Sequence, residues 1–285
     1  MLRKIEYMDN LSETDNSIRK YILSYPEKVI NMSIKEIADA TYTSSATVLR
    51  FCRKVGSDKF SDFKIQIAKE ISETQVGKEK IDANAPFTAS DSMMHIAEKL
   101  YTNSRNSIKD TMDMFEYSKV EDIVDKIIKS KVVDIYGVGT SLSSTFEFKE
   151  KLLRIGMNVH LEMNNNNQVY QALNSEMTHI AIIVSYSGNT EHILRIASIL
   201  KENNTPIIAI TGMKHNKLRE ISEHIISIGS YEKADFRLKM DAFGSTMAMH
   251  YILDCIYAFI YNKDFKQYQK NAKRNERERY RNKLI

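Results

Sequence analysis

Between Val132 and Ile228 five short apolar runs, VVDIY, MNVHL, HIAIIV, PIIAIT and HIISI, alternate with stretches of helical periodicity. Alternation of this kind predicts a parallel sheet with helices on both faces. Two helices precede it, one from Asp91 to Phe115 and one capped by Ser118 that runs to Ser130, and a long helix follows the fifth run. The expectation is a doubly wound five-stranded α/β domain over residues 91–262. Ligands of such sheets bind at the carboxyl ends of the strands, so the residues after each run are where chemistry is sought first.

The third run leads into Ser185–Thr190, SYSGNT, and then into the helical pattern EHILRIASILKEN. Ser185, Ser187 and Thr190 bring hydroxyls, and Gly188 and Asn189 complete the turn, where the first N–H groups of a helix have no intrahelical partner. A dianion seated there gains donors and the favourable end of the helix dipole. Ser187 or Asn189 can equally be an ordinary helix cap. The first run ends in GVGTSLSS, in which Gly137 and Gly139 permit close backbone approach and Thr140, Ser141 and Ser143 add hydroxyls at a second helix start. A GxG after a strand hints at a dinucleotide, but no third glycine follows at the needed spacing and no clear acid ends the next strand. Two hydroxyl-rich strand ends in one sheet suit a small polyol bearing a phosphate.

Residues 1–76 carry no strand pattern and read as a separate all-α domain. Ser12 opens a helix that Pro26 ends. Ser33 opens a second, with Glu36 placed for a capping box and Ile34, Ile37 and Ala38 on one face. After TYT, Ser44 caps a third helix that buries Val48, Phe51, Cys52 and Val55 and stops at Gly56. Two short helices joined by a tight turn form a helix-turn-helix. Opposite the apolar stripe of the third helix stand Ser45, Thr47, Arg50, Arg53 and Lys54, with Ser44 at its start. Hydroxyls and cations on one face suit a major groove, where Arg reads guanine and every cation releases counterions; the same face also fits a solvated helix in a small bundle.

A chain of 285 residues has room for two domains, each with its own core. Residues 77–90, with Gly77 and Pro86, lose the apolar period and read as a linker. With 42% hydrophobic and 27% charged residues the chain has the balance of a globular protein. Its most apolar late run, MAMHYILDCIYAFIY, carries His250 and Asp254 and falls short of the ~20 residues of a membrane span. The first ten residues mix charges with few apolar side chains, so no secretory leader is expected and the compartment is read as the cytoplasm. Cys52 and Cys255 are too far apart for a CxxC site or a disulfide framework, and no metal or cofactor is expected. The net charge of +4 is uneven: residues 263–285 hold nine Lys or Arg and three Asp or Glu, which is +6, and leave −2 for the rest. This basic tail fits a polyanion contact, and equally an ordinary solvated helix end.

The run MSIKEIADATYTSSATVLRFCRKVGSDKFSDFKIQIAKE resembles the N-terminal helix-turn-helix of RpiR-type bacterial transcriptional regulators, with Ser44, Ala46 to Val48 and Arg50-Phe51 at the characteristic positions. It departs from them at Tyr42, where a small turn residue is usual. The second half resembles the SIS (sugar isomerase) domain through GVGTS and SYSGNT. That resemblance implies that Ser185, Ser187 and Thr190 hold a phosphate, that Thr140 and Ser141 contact the sugar, and that the chain forms a homodimer or homotetramer. Arg237 matches an arginine the regulators often carry, but Phe236 and Met240 replace the usual Ser and Gln beside it.

Sugar isomerisation needs a general base near the carbon that loses its proton. Glu191 lies beside the proposed phosphate, where the helix dipole already accounts for a carboxylate and an inward orientation would repel a dianion. The seven histidines are scattered. The reading is therefore a regulator that binds operator DNA and a phosphorylated sugar effector without catalysis; a sugar-phosphate isomerase is the alternative, and a scaffold that binds neither is a third possibility.

Overall fold

The computed structural model describes residues 1–6, 8, 11–75 and 81–281. The chain divides into two compact units, Met1–Lys80 and Ile81–Ile285.

The first unit is built from α1 (Leu2–Glu6), α2 (Glu13–Ser24), α3 (Pro26–Val29), α4 (Ile34–Ala40), α5 (Ser45–Lys54) and α6 (Phe60–Gln75). Pro26 separates α2 from α3 and stands at the first position of α3, where its missing N–H costs nothing. The capping box forms: Glu36 N donates to Ser33 Oγ at 3.2 Å and Ser33 N to Glu36 Oε2 at 2.6 Å. Ile18, Ile22, Ile37, Val48, Phe51, Phe63 and Ile67 are all fully buried in one core. Between α4 and α5, Thr41 Oγ1 donates to Ile37 O at 2.8 Å and Thr43 N to Ala38 O at 2.8 Å, closing the turn. Tyr42 pays for that closure in backbone strain, with φ of +52° and a ring that is 98% exposed. The stop at Gly56, φ +94°, is the left-handed ending that glycine permits.

The second unit contains α7 (Met93–Asp113), α8 (Tyr117–Lys129), β1 (Val132–Gly137), α9 (Thr140–Arg154), β2 (Val159–Leu161), α10 (Asn165–Leu173), β3 (His179–Ser185), α11 (Glu191–Glu202), β4 (Ile207–Gly212), α12 (Lys217–Ile221), β5 (His224–Ile228), a 3₁₀ turn Phe236–Leu238, α13 (Gly244–Lys263) and α14 (Phe265–Arg281). All four strand pairings are parallel and the order is β2-β1-β3-β4-β5. Alternate side chains sort to two cores. Ile182 and Val184 of β3 join Phe148, Leu152, Ile252 and Ile256 from α9 and α13. Ala181 and Ile183 join Ile193, Ile196 and Leu218 from α11 and α12 on the opposite face. Central strands covered on both faces need continuous apolar runs, and HIAIIV is one.

Three details differ from expectation. The cap position of α8 is Glu116 rather than Ser118, and it makes no side-chain capping bond. Of the expected linker 77–90, residues 77–80 lie outside the described residues, while 81–90 are held to the second unit: Lys233 N donates to Asn84 Oδ1 at 2.7 Å, Met240 N to Asn84 O at 2.8 Å, and the rings of Phe87 and Phe243 meet at 6.3 Å. Two backbone N–H groups tied to one asparagine account for order in a stretch without apolar period. The basic tail is a separate helix, α14, whose Asn271 and Asn275 donate to Ile155 O and Arg154 O, each at 3.0 Å, and so satisfy the last carbonyls of α9; residues 282–285 are outside the described residues.

Candidate functional site

The order β2-β1-β3 places the topological switch point between β1 and β3, whose crossovers leave in opposite directions. The two strands run in register to their ends, Gly137 beside Val184. The two hydroxyl-rich turns therefore emerge side by side at the carboxyl edge, one starting α9 and the other α11. Neither helix is capped by a side chain: Gly139 is the cap residue of α9 and Thr190 that of α11, and no side-chain capping bond forms at either. Ser187 and Asn189 are thus not the caps that a plain structural role would make them, and the leading N–H groups of both helices face the turns.

Around SYSGNT, Ser187 Oγ accepts from Asn189 N at 3.3 Å and lies 3.2 Å from Thr190 Oγ1. Ser185 is 3% exposed at the end of β3, and its carbonyl accepts from Thr211 Oγ1 at 2.7 Å and Gly188 N at 3.2 Å. Asn189 turns outward, its Oδ1 accepting from Lys217 N at 3.0 Å. Gly188 has φ of +62°, and Asn216 lies against it, donating to Thr211 Oγ1 at 3.2 Å and Lys214 O at 2.9 Å while accepting from Arg219 N at 3.1 Å. At the other turn Thr140 is exposed and Ser141 is buried against α13, its hydroxyl 3.5 Å from Met249 Sδ. Gln168 of α10, fully buried, donates to Gly137 O at 2.9 Å; its Oε1 has no hydrogen-bond partner among the described residues.

Sequence reasoning missed the support behind the turn. Tyr186 OH points at Ser230 O (3.0 Å) and Glu232 O (2.6 Å), and Lys239 Nζ lies 5.3 Å from the centre of its ring. Lys239 and Glu232, with side chains 1% and 0% exposed, form an ion pair at 3.3 Å. Glu232 also accepts from Gly244 N at 2.5 Å, Ser245 N at 3.1 Å and Ser245 Oγ at 2.6 Å, so it closes the start of α13 with a charge of the favourable sign. Signals for this were absent because the pair is local to an irregular segment with no period. Arg237, by contrast, folds onto Asp235, Nη2 to Oδ2 2.7 Å, and holds that carboxyl down to about 2.

One further cluster lies within the sheet. Asp134 of β1, 1% exposed, accepts from Ser175 Oγ at 2.6 Å and is 2.8 Å from His179 Nδ1. Serine and histidine both address the same carboxylate instead of each other, so no serine is activated by the histidine. Burial, followed by the charge of Arg195, lowers the pKa of His192. Among the described residues no group of His, Cys, Asp or Glu could hold a metal ion, and no helix is long and apolar enough to cross a membrane.

In the first unit α5 presents Ser45, Arg50 and Arg53 to solvent, with Thr47 half-buried at its start. Ser44 Oγ caps the helix by accepting from Thr47 N at 3.1 Å and lies 2.9 Å from Thr47 Oγ1. Lys54 is exposed as well, and its ammonium pairs with the carboxylate of Asp15 of α2, which is fully buried. A carboxylate packed between two helices needs a counter-charge, and Lys54 is within reach.

The helix-turn-helix domain model of the rpiR family matches residues 1–74, and the SIS domain model matches residues 126–260. An uncharacterized HTH-type transcriptional regulator of Haemophilus influenzae is 28% identical over 88% of this chain and 86% of its own. YbbH of Bacillus subtilis, also described as an uncharacterized HTH-type transcriptional regulator, is 24% identical over 87% and 85%. Among solved structures, Vibrio vulnificus NanR, complexed with ManNAc-6P, has a TM-score of 0.59 at 21% identity and covers 96% of each chain. The sugar isomerase domain of an RpiR transcription factor from Sphaerobacter thermophilus has a TM-score of 0.57 at 15% identity, over 64% of this chain and 98% of its own. These structural likenesses speak to the fold, and the two domain matches, in this order on one chain, make it a member of the RpiR-type regulators with an N-terminal helix-turn-helix and a C-terminal SIS domain.

Proposed function

We propose that this protein is a transcription regulator whose affinity for operator DNA is set by a phosphorylated sugar bound at the switch point of its SIS domain. The observation that carries the proposal is the pair of helices, α9 and α11, that start uncapped at the adjacent ends of β1 and β3. Ser187, Thr190 and the leading N–H groups of α11 take the phosphate, while Thr140 and the Gly137–Gly139 backbone face the sugar. NanR, which shares the fold, was solved with a phosphorylated sugar, in keeping with this ligand class.

Arg50, Arg53, Ser45 and Thr47 are the groups that address DNA, with Ser44 fixing the helix that carries them. A homodimer or homotetramer would present two such helices to half-sites about 34 Å apart, and a regulator of bacterial genes acts in the cytoplasm. Effector binding that favours one arrangement of the oligomer then changes DNA affinity, and a coupling of about 1 to 3 kcal/mol gives 5- to 150-fold regulation. Catalysis is no part of this reading: Glu191 is an exposed residue at the first turn of α11, and the Asp134 cluster activates no nucleophile.

The test is a melting-temperature screen against phosphorylated and unphosphorylated sugars, repeated with an operator fragment. Ligands that bind the native state raise its stability by mass action. A phosphorylated sugar should raise the melting temperature where its unphosphorylated counterpart does not, and should shift the operator affinity. A flat screen, or turnover of a sugar phosphate in the same mixtures, ends the sensor reading.

A further inference from the structure

α14 is a seventeen-residue helix with seven Lys or Arg, two Glu and no buried residue. Cation-rich helices on ordinary solvated surfaces are interleaved with carboxylates three or four residues away. Here Arg281 makes one such pair, Nη1 to Glu278 Oε2 at 3.3 Å, while Lys266, Lys270, Lys273 and Arg277 make none among the described residues. Tyr268 and Ala272 pack against the core, and Asn271 and Asn275 bind the last carbonyls of α9, which fixes the rotation of the helix about its axis. At 3.6 residues per turn, Lys266, Lys270, Lys273, Arg277 and Arg281 then share one arc of about 80° centred opposite Tyr268. All five are exposed. Glu276 and Glu278 fall on the flanks, about 100° to either side of the centre of that arc. The result is a row of four cations, Lys266 to Arg277, about 17 Å long, continued by Arg281, which is shared with Glu278.

We propose that this outer face of α14 is a second nucleic-acid contact, which grips the phosphate backbone of duplex DNA independently of base sequence. The occupant follows from charge complementarity: duplex DNA carries one negative charge per about 1.7 Å of axis, and each cation that meets a phosphate releases condensed counterions. The assignment leans on the regulator reading only in choosing DNA as the polyanion. Phosphate contacts of this kind position a protein and carry no sequence information, which fits a row made of Lys and Arg without Asn, Gln or Ser among them.

The experiment compares the full chain with the variant Lys266→Gln, Lys270→Gln, Lys273→Gln, Arg277→Gln, and with a control that removes the same charge from Lys119, Lys126, Lys129 and Lys131. Affinity for operator and for a scrambled duplex is measured at several salt concentrations, and far-UV dichroism confirms folding. The α14 variant should lose affinity for both duplexes by the same factor, and its salt slope should fall by about 3 to 4. The control should keep its slope. An unchanged slope in the α14 variant while Arg50→Ala still weakens operator binding overturns this proposal and leaves the helix-turn-helix reading standing. Equal losses in variant and control would reduce the effect to net charge and overturn it as well. So would loss of binding to vesicles containing phosphatidylserine with DNA binding intact, which would assign the row to a membrane surface.

Discussion

A Cβ built on Gly188 would stand 2.0 Å from Oδ1 of Asn216, so the amide that braces the proposed phosphate turn occupies the space of any side chain at this position. The backbone at Gly188, φ +62°, is also one that L-residues avoid. Gly188→Ala should therefore cost about 1 to 3 kcal/mol of stability and abolish stabilisation by the sugar phosphate found in the screen. Chemical denaturation with and without ligand measures both; full ligand stabilisation in the variant would show that the turn is not the seat of the anion.

Lys239 and Glu232 are a buried pair directly behind Tyr186. Removing one partner of a buried pair leaves the other charge uncompensated, at about 3 to 5 kcal/mol. Lys239→Met should fall near the lower bound, because Glu232 keeps the donors at the start of α13. Lys239→Met combined with Glu232→Gln should recover part of the loss. Urea unfolding of the two single variants and the double decides it, and strictly additive losses would mean that the two groups do not interact.

The Asp15 carboxyl is pushed upward by burial, but the hydrogen bond and charge of Lys54 and the bonds from Ser12 outweigh that and leave its pKa below 3.8. A depressed carboxyl stabilises the fold above its unfolded value, and that contribution disappears as the pH falls through the folded value. Lys54→Met removes the main lowering partner, so the acid transition of the first unit should move to higher pH. The measurement is helical dichroism titrated from pH 7 to 2; a transition at the wild-type pH would mean that the ion pair contributes nothing.

On α5 the cations Arg50 and Lys54 should separate in function. Arg50→Ala should weaken operator binding by about 1 to 3 kcal/mol while leaving thermal stability within about 0.5 kcal/mol, as for an exposed residue that meets a base or phosphate. Lys54→Ala should lower stability first. Gel retardation and calorimetry on both variants check this, and equal operator affinity for Arg50→Ala and the unaltered chain would remove the face chosen here.

The chemical character of the two hydroxyl-rich turns was legible because it depends on neighbours in the chain. A strand followed by SYSGNT is enough to predict hydroxyls at a helix start. That Ser44 is used up as a cap was also visible, since capping is local. Lys54 could not be read in the same way: its partner Asp15 is 39 residues away, and only the packing of α2 on α5 brings them together. Ser141 was expected to face the sugar, but it is buried against Met249, 108 residues on.

The sequence by itself determined the alternation of the five strands with helices, the capped helix pair and the hydroxyls at both strand ends, because periodicity and capping act over a few residues. Tertiary structure decided that GVGTS and SYSGNT meet, since only the order β2-β1-β3 makes their strands neighbours. It also decided that Glu232, Lys239, Gln168 and Asn216 stand behind them, and that α14 turns one face of cations outward. Those outcomes depend on long-range packing, where the burial of a charge or the rotation of a helix is set by partners remote in the chain.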